Sequence, residues 1–295
     1  MNASRGHFLR HYLLAVQFFT RLPVTGALAQ WVGFSPEMLR ASTAHFPGVG
    51  LLLGVLQVAL ASALVWAMPY THYAPLVVAC LTTAGGIWLT GALHEDGLAD
   101  VADGLGGSAE RARALEIMKD SRVGSYGVIA VAMALLLKVA LLTMLASLGV
   151  AVLMTGLVLG AVVSRNYALW VIRALPNVGQ AETSKSRAMA GQISLGSLLV
   201  GAVWCLLALL LVLEVHELWG QWAAGTGAAW GLMPLRQWAT SVAGAVLASL
   251  LVWWWLVRWF GQRLQGFTGD CLGATQVLSE LAFYFGLVLG WGLEA

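Results

Sequence analysis

Residues 126–148 read YGVIAVAMALLLKVALLTMLASL, in which Lys138 is the only charged residue. A helix needs about 20 predominantly apolar residues to cross the hydrocarbon core of a bilayer, and this stretch is long enough. Further stretches of the same character lie at residues 46–68, 74–93, 151–172, 193–213, 238–257 and 274–293. The sequence therefore predicts an all-α, polytopic membrane bundle of about seven transmembrane helices.

The composition of the whole chain supports this fold class. Of its 295 residues, 59% are hydrophobic and 10% are charged, whereas a soluble domain carries about 25% charged residues. The net charge of +2 is too small to indicate a nucleic-acid partner. Cys80, Cys205 and Cys271 lie far apart and show neither metal-ligand spacing nor a paired framework. We expect a single integral membrane domain over residues 1–295.

The chain before the first span is predicted to lie at the membrane surface. Residues 7–19 are amphipathic and flanked by arginines, which is typical of an interfacial helix, so we assign residues 1–44 to a cytoplasmic or interfacial segment. Cytoplasmic loops of membrane proteins carry an excess of Lys and Arg. With the N-terminus inside, thirteen of the sixteen basic residues are cytoplasmic and only Arg236 is external. We therefore expect a multi-pass protein of the bacterial cytoplasmic (inner) membrane.

Residues 94–104 read HEDGLADVADG and hold four of the fourteen acidic residues in the chain. On a helix, Asp96, Asp100 and Asp103 fall within roughly 60° of one another and share one face. Three like charges on one stripe repel unless a cation lies between them. Carboxylate ligands without cysteine suit Mg²⁺. We expect these three residues to bind Mg²⁺ that holds a phosphate ester, with Glu95 as the weakest ligand candidate.

A simpler interpretation of this acidic run stays open. Asp96 and Glu95 could merely cap the next helix from a solvated helix end, although capping needs one carboxylate rather than four. His94 could accept a proton or support a ligand, or it could simply lie at the membrane–water interface. Gly97 and Gly104 lack side chains, and we expect a ligand to approach the backbone there.

Basic and glycine residues follow the acidic run. Lys119 and Arg122 lie three residues apart at the end of a predicted helix, and Gly124 comes next. Such a combination is typical of a site that holds a pyrophosphate, although positive charge at a cytoplasmic helix end is expected in any case. Residues 94–125 are therefore predicted to form a cytoplasmic active-site loop.

More polar candidates lie in or beside the spans. Asp270 precedes the last span, where it could bind metal or a substrate hydroxyl, or cap the helix. Arg165, about two turns from the cytoplasmic end of its span, is the best candidate there for a phosphate contact. Lys138 and Glu280 could pair inside the bundle, where ionisable groups of spans usually face. Residues 185–187 (KSR) could bind phosphate, or could be solvated charge.

Several ordered motifs along most of the chain resemble those of the cobalamin synthase family. They are residues 18–23 (FFTRLP), 46–50 (FPGVG), 94–104, 118–127 (MKDSRVGSYG) and 268–274 (TGDCLGA). The acidic run is also similar to the Asp-Gly-x-x-Ala-Arg signature of CDP-alcohol phosphotransferases. It departs from that signature because Asp96-Gly97-Leu98-Ala99-Asp100 is not followed by the Arg, which disfavours a phospholipid synthase. The external loop at residues 214–237 is longer than the resemblance leads us to expect.

The resemblance implies an adenosylcobinamide-GDP ribazoletransferase. Such an enzyme joins adenosylcobinamide-GDP with α-ribazole, or its 5′-phosphate, and releases GMP and adenosylcobalamin, or its 5′-phosphate. It further implies Mg²⁺ as cofactor, Asp103 or His94 as general base, and Lys119 and Arg122 at the GDP phosphates. The full set of expected substrate contacts is Lys119, Arg122, Gly124, Arg165 and Asp270.

Other functions and assemblies stay open at this point. One alternative is a phosphotransferase with a lipid acceptor. Another is a transporter with a metal-gated site, for which acidic residues would be expected at the membrane midplane in broken helices rather than at a helix end. Oligomerisation is possible, and nothing in the sequence decides it.

Overall fold

The computed structural model describes residues 2–69, 71–179, 193–226 and 234–292. Helices dominate these residues and no β-strand occurs among them; an isolated bridge joins Asn177 to Phe267. The helices are α1 (Asn2–Phe19), α2 (Gly26–Val32), α3 (Pro36–Ser42), a 3₁₀ turn (Thr43–His45), α4 (Phe46–Ala67), α5 (Ala74–Thr90), α6 (Leu93–Gly107), α7 (Arg111–Ile117), α8 (Ser125–Leu148), α9 (Val150–Ala174), α10 (Leu195–Thr226), α11 (Leu235–Arg263) and α12 (Gly269–Gly292).

The described part of the chain contains six segments that are long and apolar enough to cross a membrane. They are residues 36–67, which end in α4, and the helices α8, α9, α10, α11 and α12. Helix α5 would be a seventh span; its 17 residues extend about 25 Å. The predicted multi-pass, all-α membrane bundle is confirmed.

The chain bends sharply between α5 and α6. Gly91 and Ala92 both adopt the left-handed backbone conformation, with φ of 66° and 60°, and the Ala92 N–H donates to the Ile87 carbonyl at 3.0 Å. Two left-handed residues in succession end α5 and redirect the chain, so that α6 leaves at 87°. We therefore treat α6 as lying outside the spanning helices. Residues 94–125, expected to be a loop, consist mainly of α6 and α7.

Helices α9 and α12 form the centre of the bundle. In their most apolar windows, 78% and 72% of residues are buried, against 22% for α8 and for α10. Small residues allow these central helices to pack closely, as is common between membrane helices. A Cβ on Gly54 of α4 would lie 2.8 Å from the Val158 Cα of α9, and one on Gly286 of α12 would lie 2.7 Å from the Ala245 Cα of α11. Helices α9 and α12 are therefore in close contact with their neighbours at these two points.

The N-terminal segment packs on one end of the bundle, which we call the site end. Here α4, α8 and α12 begin, and α5, α9 and α11 finish. Leu14, Ala15 and Val16 of α1 are buried in a small apolar cluster. The Arg21 N–H donates to the Leu89 carbonyl at 2.7 Å, which ties the end of α1 to the end of α5.

One sequence expectation about the opposite end is wrong. Residues 214–226, assigned to an external loop, continue α10 as helix. Polar residues such as Glu214 and Glu217 mark the end of the apolar stretch, but Glu, Leu, Gln and Ala have high helix propensity and do not end a helix. Residues 227–233 lie outside the described residues.

Candidate active site

Two glycines bring α6 and α12 into backbone contact. A Cβ on Gly97 would lie 2.8 Å from the Asp270 carbonyl oxygen, and one on Gly273 would lie 3.1 Å from the His94 carbonyl oxygen. Neither position has room for a side chain. The expectation that a ligand approaches the backbone at Gly97 and Gly104 is wrong, because α12 fills the space at Gly97 and α7 with Met118 fills that at Gly104.

This contact creates an acidic cluster, which consists of Asp96, Asp100 and Asp270. The Asp100 carboxyl is half-buried, and this burial raises its pKa from 3.8 to about 7, with further contributions from the charges of Asp270, Asp96 and Asp103. The Thr268 hydroxyl donates to Asp270 Oδ2 at 3.1 Å and accepts the Cys271 N–H at 3.4 Å. Thr268 therefore caps α12 and orients the Asp270 carboxylate.

Asp103 lies on the same helix as Asp96 and Asp100 but has a different role. It is buried, and its two carboxylate oxygens accept the N–H groups of Gly124 at 2.7 Å and Gly127 at 2.8 Å. These N–H groups belong to the start of α8, so Asp103 caps that helix and complements its dipole. A side chain at Gly124 would collide with the Asp103 carboxylate. The acidic run therefore does contain a helix-capping carboxylate, but it is Asp103 rather than Asp96 or Glu95.

A cavity of about 270 Å³ opens beside the acidic cluster. Its wall combines three aromatic side chains with polar and charged groups. The aromatic residues are Phe18, Phe19 and Phe46, and the polar ones are His94, Asp96, Arg165, Asn177, Asp270 and Gln276. The structure thus brings together four residues that the sequence analysis singled out, although they come from three different helices.

Asn177 and Gln276 were missed by the sequence analysis. Gln276 is a polar residue in an apolar span, and its Nε2 donates to the Ser164 hydroxyl at 3.2 Å. That isolated polarity was the available signal. Asn177 follows α9 in an irregular segment, and no pattern in the sequence distinguishes it.

A buried ionic cluster lies behind the cavity and comprises Glu95, Lys138, Arg165 and Glu280. Lys138 Nζ lies 2.6 Å from Glu280 Oε2, which confirms the expected pairing. Arg165 is only 7% exposed; its Nη1 donates to the Ala161 carbonyl at 3.0 Å, and its buried Nε has no hydrogen-bond partner among the described residues. Glu95 lines a second, smaller cavity together with Lys138 and Arg165. It therefore lies beside positive charges rather than in the acidic cluster.

His94 lines both cavities. Burial lowers the pKa of its imidazole, and the positive charges of Arg165 and Lys138 lower it further. The ring is therefore neutral near pH 7 and can accept a hydrogen bond.

Lys119 and Arg122 are exposed, and the structure does not place them on the cavity wall. Arg122 Nη2 lies 2.6 Å from Asp120 Oδ2, and hydrogen bonds from Arg122 lower the pKa of Asp120 to about 2. Their predicted contact with phosphates stays a prediction. Residues 185–187 lie outside the described part of the chain.

Comparison with known proteins decides the family. The family model described as cobalamin-5-phosphate synthase matches residues 11–288. The chain belongs to this family. Proteins named adenosylcobinamide-GDP ribazoletransferase from Albidiferax ferrireducens, Polaromonas sp. and Vibrio cholerae are 55%, 50% and 37% identical to it. Each alignment covers 96% of this chain, and 99%, 97% and 95% of those relatives. No solved structure gives a significant match.

The motifs that resemble the cobalamin-5-phosphate synthase family meet at the site end. Residues 18–23 and 46–50 supply the aromatic wall of the cavity. Residues 94–104 and 268–274 supply the acidic cluster, and residues 118–127 hold the start of α8 through Asp103. Segments far apart in the sequence therefore contribute to a single site.

Proposed function

We propose that this protein is an adenosylcobinamide-GDP ribazoletransferase, which carries out the last step in assembling the nucleotide loop of cobalamin. The observation that carries the proposal is an acidic cluster beside a cavity that also presents a buried arginine. Carboxylates that bind a divalent cation, together with a cation from the protein, suit the transfer of a phosphoryl group. The relatives' names supply adenosylcobinamide-GDP and a ribazole group, and we propose α-ribazole, or its 5′-phosphate, as the acceptor.

The donor groups of the acidic cluster are of the kind that Mg²⁺ prefers, but no three of the described His, Cys, Asp and Glu side chains are arranged to hold one metal ion, so binding of Mg²⁺ would have to draw these carboxylates together. They are all carboxylates, and the pKa of Asp100 is raised first by burial and then by the negative charges of Asp270, Asp96 and Asp103. We propose Asp96, Asp100 and Asp270 as the ligands, and we assign Asp103 to holding α8 rather than to the metal. Mg²⁺ bound there supplies charge neutralisation at the pyrophosphate oxygens.

The side chains around the cavity would orient the reactants. Arg165 lines the cavity, and its guanidinium would attract a phosphate oxygen. A ribose 3′-hydroxyl attacks the phosphorus that carries the corrinoid, the bond between the two phosphates breaks, and GMP leaves with the bonding electron pair. The hydroxyl proton passes to neutral His94. Asp103 is a weaker candidate because both of its oxygens already accept N–H groups.

The exposed surface of the site end would receive the nucleotide half of the donor. We propose that Lys119 and Arg122 contact the GDP phosphates there. We further propose that Gly124, which has no side chain, leaves the backbone between these residues and α8 accessible. We further propose that this end faces the cytoplasm of the bacterial inner membrane, because the basic residues concentrate on it.

A turnover assay tests the proposal. Purified protein in lipid nanodiscs is given adenosylcobinamide-GDP and α-ribazole, with Mg²⁺ or with EDTA, and GMP and corrinoid product are quantified. We expect both products in equal amounts and only with Mg²⁺. Asp100→Asn should abolish turnover, whereas Glu116→Gln, which alters an exposed surface ion pair, should not.

Three results would contradict the proposal or parts of it. Full turnover by Asp100→Asn would refute the assignment of Asp100 as a metal ligand. Turnover in EDTA would remove the metal requirement. Turnover of CDP-diacylglycerol in place of the corrinoid would favour the lipid phosphotransferase instead.

A further inference from the structure

We propose that the cavity of about 270 Å³ is the binding site of the nucleoside α-ribazole, with its aromatic base against Phe18, Phe19 and Phe46. The ribose would point toward the acidic cluster. This inference rests on the proposed function, and it assigns the two substrates to different places: the nucleoside inside the cavity and the corrinoid nucleotide outside it.

The size of the cavity separates the two substrates. Its volume lies just below the roughly 300–1,000 Å³ that is typical of sites for small molecules. α-Ribazole is one nucleoside with a fused bicyclic base. Adenosylcobinamide-GDP contains a corrin macrocycle with amide side chains and two nucleosides, and it is several times larger. Only α-ribazole can enter the cavity, so the donor must lie at its mouth and reach the acidic cluster with its pyrophosphate.

The aromatic wall suits a flat apolar base. Phe18 and Phe19 pack edge to face with centroids 4.7 Å apart, and Phe19 packs on Phe46 in the same way at 4.1 Å. Phe46 is buried, with 4% exposed, and anchors the group at the start of α4. Phe18 and Phe19 are only partly buried. A dimethylbenzimidazole ring placed against them gains aromatic contact and loses little hydration.

The remaining wall suits hydroxyl groups. His94, Asp270 and Gln276 line it with polar atoms, and these come from α6 and α12 rather than from α1 and α4. The side chain of Arg165 also lines the cavity and adds a charged hydrogen-bond donor to this wall. The uneven distribution of polarity orients the nucleoside with its ribose toward the reacting phosphorus.

Phe19→Leu tests this assignment, because leucine keeps the apolar bulk and removes the ring. We expect the KM for α-ribazole to rise about three- to tenfold, with the KM for adenosylcobinamide-GDP unchanged. Phe8→Leu is the matched control: it makes the same exchange about three turns earlier in α1, away from the cavity, and should change neither KM. An equal rise in both KM values, or a rise for the corrinoid substrate alone, would overturn the assignment.

Direct binding separates this inference from the proposed function. The fluorescence of α-ribazole is followed on titration with wild-type protein, without corrinoid and without Mg²⁺, and then with the Phe19→Leu variant. Phe18→Leu serves if Phe19→Leu does not accumulate in membranes. We expect binding by the wild type, weakened in the variant by the same factor as the KM. Normal turnover with unchanged α-ribazole affinity in both variants would refute the cavity as the α-ribazole site and leave the proposed function intact. Wild-type protein that turns over neither substrate would refute the proposed function.

Discussion

Replacing Asp103 by asparagine should destabilise the metal-free protein. In the native structure two N–H groups at the start of α8 donate to the buried Asp103 carboxylate, at 2.7 and 2.8 Å. Asparagine has nearly the same shape but only one carbonyl oxygen. Its NH₂ group would face the second N–H and leave that donor without an acceptor.

The expected magnitude follows from these two hydrogen bonds. A hydrogen bond to a charged group contributes about 1.5–3 kcal/mol, and a buried donor left unsatisfied costs about 1–3 kcal/mol. Loss of the negative charge at the helix N-terminus removes about 0.5–1 kcal/mol more. One hydrogen bond survives in the variant, so we expect a loss of about 3 kcal/mol in the free energy of unfolding.

Unfolding in mixed micelles of increasing SDS content, followed by circular dichroism in EDTA, measures this loss. Asp100→Asn is the control, because it makes the same exchange one turn earlier on α6 and removes a carboxylate that its neighbours repel. That variant should be at least as stable as the wild type. If Asp103→Asn unfolds like the wild type in EDTA but no longer responds to Mg²⁺, Asp103 is a metal ligand and its assignment as a helix cap is refuted.

Three further predictions address the site and its support. Burial and neighbouring carboxylates raise the pKa of Asp100 from 3.8 to about 7. The stability that its proton provides to the metal-free protein is therefore present below pH 3.8 and is lost as pH rises through about 7. The unfolding midpoint should fall over that range, and an equal fall in Asp100→Asn would show that Asp100 is not the titrating group. Gly97→Ala should push α6 from the α12 backbone and lower kcat/KM about 100-fold, while Gly107→Ala, where a Cβ meets only an ordinary contact at 3.4 Å, should leave it intact in the same turnover assay. Lys138→Met leaves Glu280 buried without its partner at 2.6 Å and should cost about 3–5 kcal/mol of stability; adding Glu280→Leu should restore most of it in SDS unfolding, and no recovery in the double variant would contradict the pairing.

Apolar length was sufficient to predict most of the fold. The stretch predicted at 126–148 is the helix Ser125–Leu148, and the one predicted at 151–172 is Val150–Ala174. The bend after α5 could not be predicted in this way, because the apolar stretch continues smoothly to residue 93. It depends on Ala92 adopting a left-handed conformation, which that residue rarely does and which no local pattern signals.

The periodicity of the acidic run predicted which residues share a face but not what each would meet. Asp96 and Asp100 face α12, whereas Asp103, one turn further along α6, meets the start of α8. Which helix faces which part of a stripe is a tertiary property, and helical spacing carries no information about it. The Arg122–Asp120 pair is local in sequence, yet it competes with the phosphate contact that the basic residues were expected to make.

The contact between Gly97 and the first turn of α12 bears on how the chain is made. A protein is synthesised from its N-terminus, and α6 leaves the ribosome long before α12. Until α12 follows, the charged helix has no neighbour at Gly97, and its carboxylates keep it out of lipid. The acidic cluster can form only when α12 enters the membrane. A nascent chain that has inserted every helix before α12 still holds no Asp270, so the two carboxylates of α6 wait for the third to arrive with α12.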